Sequence, residues 1–175
     1  MPWKNGGGTT FEVALHPEDA DWASFVWRIS IAQVERGGPF SSFAGIDRSL
    51  VVLAGQGMVL RGIRAHPIDV RLYDCVAFAG EATVDTELLG GPTRDFNLMT
   101  RRGVAQADVR VLQGAQGAME GVATYVCHAA SRSCQCGVDG TSVDVPEGHT
   151  LVADGVRFDV DASRDAVAVV ARVTQ

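Results

Sequence analysis

The chain has 175 residues, 46% of them hydrophobic, with a formal net charge of −6, which suffices for one domain or two small half-domains around a buried interior. Its acidic balance would repel a phosphate backbone, so nucleic acid is not an expected partner. No apolar run approaches the roughly 20 residues that span a bilayer, and Met1-Pro2-Trp3-Lys4 has neither the basic nor the apolar region of a signal peptide; no membrane contact and a cytoplasmic location are expected.

Taken in chain order, Gly6-Gly7-Gly8 comes first. It opens no P-loop, since no Gly-Lys-Ser/Thr follows, and no G-x-G-x-x-G stands before a βαβ unit. Pro17 to Trp22 is the one helix candidate, a short turn with Pro17 at a first helical position. Beyond it the pattern has period two. In FVWRISIAQV (25–34) Phe25, Trp27, Ile29 and Ile31 share one face and Arg28 and Ser30 the other, which describes a half-buried strand. Further strands are predicted at 49–55, 57–62, 68–80, 82–90, 94–100, 107–114, 123–129, 141–146, 149–154, 156–162 and 165–173. Between them lie Gly55-Gln56-Gly57, Gly90-Gly91-Pro92, Asp139-Gly140 and Asp154-Gly155, and the two Asp-Gly pairs predict hairpins. Many short strands with such punctuation indicate an all-β sandwich or barrel. Motif content is richest before Gly103 and plainer after it.

Within RDFNLMT (94–100), Phe96 and Leu98 point one way and Asp95, Asn97 and Met99 the other. The mixed face reads either as the solvent side of an antiparallel sheet or as the inner lining of a barrel that holds a small ligand. Arg28 and Ser30 pose the same choice. In GGPFSSFAGIDRSLVVL (37–53) Arg48 offers a fork suited to a carboxylate, or a structural partner for Asp47 or Asp95.

Other chemistries find little support. There is no G-x-S-x-G elbow for a serine hydrolase. His16, His66, His128 and His149 stand apart with no H-x-H or H-E-x-x-H pairing. Cys75, Cys127, Cys134 and Cys136 are too few and too uneven for a disulfide framework and read as reduced thiols. The run CHAASRSCQC fits no standard zinc spacing, and on a strand Cys127 and His128 point to opposite faces; no metal site is expected.

PWKNGGGTT (2–10), WRISIA (27–32), GPFSSFAGIDRSLVVLAGQG (38–57) and GGPTRDFNLMTRRG (90–103) together resemble the HutD/Ves family. The motifs stand in the family's order across most of the first 103 residues; the remainder fits the family in its strand pattern. The resemblance implies a bicupin, two antiparallel, jelly-roll-like β-barrels packed in one chain, with approximate halves 1–103 and 104–175. It also implies an association with histidine utilisation, through sensing or regulation by a small acidic metabolite. Cupins usually hold a metal with an H-x-H-containing motif; this chain has none, and Pro146-Glu147-Gly148-His149 only faintly echoes a second cupin motif, so no cofactor is expected. Two departures stand out. Met1 abuts Pro2 where the family has a further strand's worth of chain, as in a truncated or misassigned start, and Phe11 replaces a common arginine.

The expected function is therefore metal-independent binding of a small carboxylate, with urocanate, N-formylglutamate and formate as candidates. Arg48 is the expected anchor, because a buried anion needs a charged, hydrogen-bonded partner. Lys4 and Asn5, facing the barrel mouth after a bend at Gly6 to Gly8, join Arg28, Ser30, Asn97 and Arg101 as polar contacts, with Phe40 and Met99 as apolar walls. The alternatives are a metal-free isomerase or hydrolase with Asp95 or Glu12 as general base, and a protein-binding module. A homodimer is left open.

Overall fold

The computed structural model describes residues 1–3, 6–163 and 165–175. Among them every regular element is a β-strand and every pairing is antiparallel. No helix is long and apolar enough to cross a membrane. The chain divides into two units, Met1–Ala105 and Gln106–Gln175.

The first unit carries two sheets. One has the order β1 (Gly8–His16), β2 (Trp27–Val34), β9 (Thr93–Arg101), β4 (Ile46–Ala54), β7 (Cys75–Ala79). The other has the order β3 (Gly38–Pro39), β8 (Asp85–Leu88), β5 (Met58–Arg61), β6 (Ile68–Val70). Side chains from both fill one core: Ala32, Val34, Leu50 and Val52 meet Met58, Leu60, Val70 and Val84. That is what period-two alternation produces when two sheets share an apolar layer. Along β2 and β4 the inward positions change from apolar at one end to Arg28, Ser30 and Arg48 at the other. This change of character creates the site.

The second unit is a six-stranded sheet ordered β10 (Gln106–Gln113), β15 (Val167–Thr174), β11 (Gln116–Ser131), β14 (Thr150–Asp161), β12 (Cys134–Val138), β13 (Thr141–Val145). Its own core includes Tyr125, Cys127, Cys136, Phe158, Val160 and Val170, with Tyr125 stacked on Phe158 at 5.1 Å between centroids.

Several sequence expectations change. Residues 17–22 form turns rather than a helix; Asp21 bonds the Ala23 amide and the Ser24 hydroxyl, the local side-chain capture that competes with helix. The predicted strand 68–80 is two strands, because Asp74 caps the Arg71 amide and Tyr73 takes φ 67° in a tight turn. Asp139-Gly140 does turn a hairpin between β12 and β13, with φ 49° and 81°. Asp154-Gly155 does not: β14 runs straight through it, with the register shifting opposite Ala123 to Tyr125, because the Asp154 carboxylate is taken by the Thr124 hydroxyl on β11. A glycine at φ 65° serves a bulge as well as a turn. The strands β1, β3 and β12 were not among those predicted.

Candidate functional site

Strand β9 lies between β2 and β4, and the register sets their inward residues in rows. Arg28, Met99 and Arg48 align across the three strands, then Ser30, Asn97 and Leu50, then Ala32, Asp95 and Val52. With strands about 4.8 Å apart, the two arginine backbones stand about 10 Å apart on either side of Met99. Both guanidiniums enter a cleft of about 610 Å³. Arg28 is 3% and Arg48 7% exposed, rare burial for arginine.

Each arginine is held in place but incompletely satisfied. Arg48 donates from Nη2 to Asn97 Oδ1 at 2.8 Å, and Asn97 Nδ2 in turn donates to Asp95 Oδ1. Its guanidinium carbon lies 5.1 Å from the Phe40 ring centroid and 5.0 Å from that of Phe78, within cation–π range. Arg28 donates from Nε to Glu12 at 2.8 Å and from Nη1 to Ser30 at 3.2 Å, and lies 4.4 Å from the Trp22 ring centroid. Trp22 stacks on Phe43 at 5.2 Å, which continues the aromatic wall. Arg28 Nη2 and Arg48 Nε are buried without an acceptor among the described residues. A buried donor left unpaired costs about 1–3 kcal/mol, more when charged, so both N–H groups are free to donate to an anion's oxygens.

The electrostatics follow from burial. Burial pushes Arg48 down to about 10; Asp95 opposes that shift and Arg28 adds to it. Arg48 still carries its charge at neutral pH. Burial pushes Asp95 up to about 7, against the pull of Arg48 and of the Asn97 hydrogen bond.

Arg28, Ser30, Phe40, Arg48, Asn97 and Met99 thus share one cleft. Arg101 does not line it: Nε and Nη2 donate to the carbonyls of Phe25 and Ala23 at 2.8 and 2.7 Å, tying the turn region to β9. Lys4 and Asn5 lie outside the described residues. Asp47 pairs with Arg102 rather than Arg48. The solvent-face reading of Arg28, Ser30, Asp95 and Asn97 is overturned, for all four are at most 5% exposed. Sequence reasoning missed Trp22 and Phe43 as walls. The two phenylalanines around Ser41-Ser42 were a visible signal; Trp22 arrives only through folding. Phe11, in place of the family's arginine, points to solvent at 61% exposure and is not part of the cleft.

The histidine-based metal of cupins does not fit this cleft. Its lining contains no histidine or cysteine, and two guanidiniums facing one space repel a cation.

The fold and site define a class: a cupin-like all-β protein with a buried, cationic, aromatic-walled cleft. The fold is shared with a cupin 2 conserved barrel domain protein from Leptotrichia buccalis at TM-score 0.59 and 10% identity, covering 99% of this chain and 92% of that one. The chain belongs to the HutD family, whose profile matches residues 1–170. An uncharacterized 21.2 kDa protein in the hutC 3′ region of Pseudomonas putida is 38% identical over 82% of this chain and 75% of its own length. A conserved protein of unknown function from Pseudomonas aeruginosa PAO1 superposes at TM-score 0.90 with 32% identity, covering 100% of this chain and 93% of that one. HutD from Pseudomonas fluorescens SBW25 superposes at 0.84 with 29% identity, over 100% and 92%.

Proposed function

We propose that the chain is a cytoplasmic, metal-independent bicupin, each unit one barrel, that binds a small carboxylate and thereby senses or regulates histidine utilisation. The observation that carries this reading is the pair of buried guanidiniums, each with an N–H that has no partner among the described residues, in one aromatic-walled cleft. A carboxylate supplies the acceptors that Arg48 Nε and Arg28 Nη2 lack, and its charge offsets theirs. The aromatic walls suit a ligand with a flat or apolar body. The relative in the hutC 3′ region and the name HutD support the metabolic setting.

Two arginines on separate strands favour a ligand with acceptors at two ends, so N-formylglutamate is expected to bind more tightly than formate, with urocanate between them. Thermal unfolding with each compound tests this. At about a hundred times its dissociation constant a ligand adds roughly 2.7 kcal/mol, a midpoint rise of about 5 to 10 °C for a chain of this size. Arg48→Ala should abolish the rise while the circular dichroism of the fold stays unchanged. An undiminished rise in that variant would sink the assignment.

A second reading, a metal-free isomerase or hydrolase, is favoured by Asp95, a buried carboxyl titrating at about 7 beside the cleft, the range useful to a general base. Prolonged incubation separates the two readings: a binding protein returns the compound unaltered, an enzyme consumes it.

A further inference from the structure

The sequence spacing of the cysteines matches no standard metal motif, yet the second unit gathers three of them. Cys134 and Cys136 alternate on β12 and so share a face. Cys127 projects from β11, which β14 separates from β12 in the sheet order. Cys127 pairs with Leu151 and Cys136 with Val160, positions near opposite ends of β14. The three Sγ atoms nevertheless come within 4.8 Å of one another, with Cys127 and Cys134 at 3.6 Å. All three are buried, at 0, 4 and 0% exposure. His128 is not part of the group and bonds Thr150.

We propose that Cys127, Cys134 and Cys136 form a binding site for a soft monovalent d¹⁰ ion, Cu(I), in trigonal thiolate coordination. Metal–sulfur bonds of about 2.3 Å place three trigonal sulfurs about 4.0 Å apart, inside the observed spread. Zinc fits less well: it takes four ligands in closed sites, and among the described residues no other cysteine, histidine or carboxylate joins the group. Thiolates select soft ions, Cu(I) foremost where only three sulfurs converge. Binding changes no oxidation state. Each sulfur still protonated releases its proton to solvent as its lone pair passes to copper.

The test uses the full chain, reduced and under anaerobic conditions, with Cu(I) presented by a coloured chelator. Cys75→Ser serves as the background, because Cys75 is exposed and outside the group. That background should withdraw one equivalent of Cu(I), and copper-edge X-ray absorption should show three sulfur neighbours without nitrogen or oxygen. Adding Cys134→Ala should weaken uptake at least about tenfold, in line with losing one ligand. No uptake, nitrogen or oxygen neighbours, undiminished uptake in a folded Cys134→Ala variant, or preferential retention of Zn(II) over Cu(I) would each overturn the proposal. The absorption measurement needs no cysteine-cluster variant, so a misfolded variant leaves it decisive.

Discussion

Asp95 sits at 1% exposure, linked to Arg48 by two hydrogen bonds through Asn97. An aspartate in an unfolded chain titrates near 3.9, whereas here burial raises it to about 7. Between those values the folded state keeps a proton that the unfolded state has lost. The associated stability is therefore complete below the unfolded value and is lost as pH rises through about 7. Asp95→Asn, which keeps a neutral, hydrogen-bonding side chain, should remove this dependence. The midpoint difference between the variant and the parent should widen in the variant's favour from about pH 5 to about pH 8, by an amount on the order of a few kcal/mol; a constant difference would mean that Asp95 does not titrate in this window. Carboxylate binding should weaken over the same interval in the parent, as Asp95 acquires a charge that repels the ligand, and stay level in the variant. Binding isotherms at the two ends of the range read this directly. Of these residues, sequence spacing placed Asp95, Asn97 and Met99 on one face; it did not reveal that the face is buried, because period two looks the same whether the second side meets water or a second sheet.

The turns between strands are where local sequence and tertiary contact part company. Gly57 has φ 98°, and a Cβ there would lie 2.1 Å from the Val70 carbonyl oxygen, so Gly57→Ala must displace the β5–β6 pairing. Gly140 has φ 81° with no atom within 4 Å of a built Cβ; its alanine variant meets only the left-handed backbone penalty, roughly 1–2 kcal/mol. Thermal midpoints of the two variants should differ in that order, with Gly140→Ala lower than the parent by about 2–8 °C and Gly57→Ala lower still. Equal losses would show that backbone conformation alone governs both. The same contrast explains the two Asp-Gly pairs, alike in sequence. The Asp139 carboxylate accepts from the Arg157 amide of the neighbouring β14 and anchors the turn at the end of β12, whereas Thr124 captures Asp154 and keeps β14 continuous.

For the molecule as a whole, the two proposed sites lie in different units, the cleft in Met1–Ala105 and the sulfur group in Gln106–Gln175. Ligand binding protects the elements it holds together. Amide hydrogen exchange should therefore slow in β2, β4 and β9 with carboxylate, and in β11, β12 and β14 with Cu(I). Protection by carboxylate confined to the second unit would place its site elsewhere. By itself the sequence determined the all-β class, the position of most strands and the family, since alternation, turn residues and long ordered motifs are local properties of the chain. It also singled out Arg48 as a candidate anchor from charge and setting. Tertiary structure alone decided that Arg28 and Arg48 flank Met99 in one cleft walled by Trp22 and Phe43, that Arg101 is committed to main-chain carbonyls, and that Cys127 meets Cys134 and Cys136. Those outcomes depend on strand register and on long-range packing, which bring together residues far apart in the chain and leave no periodic trace within any one segment.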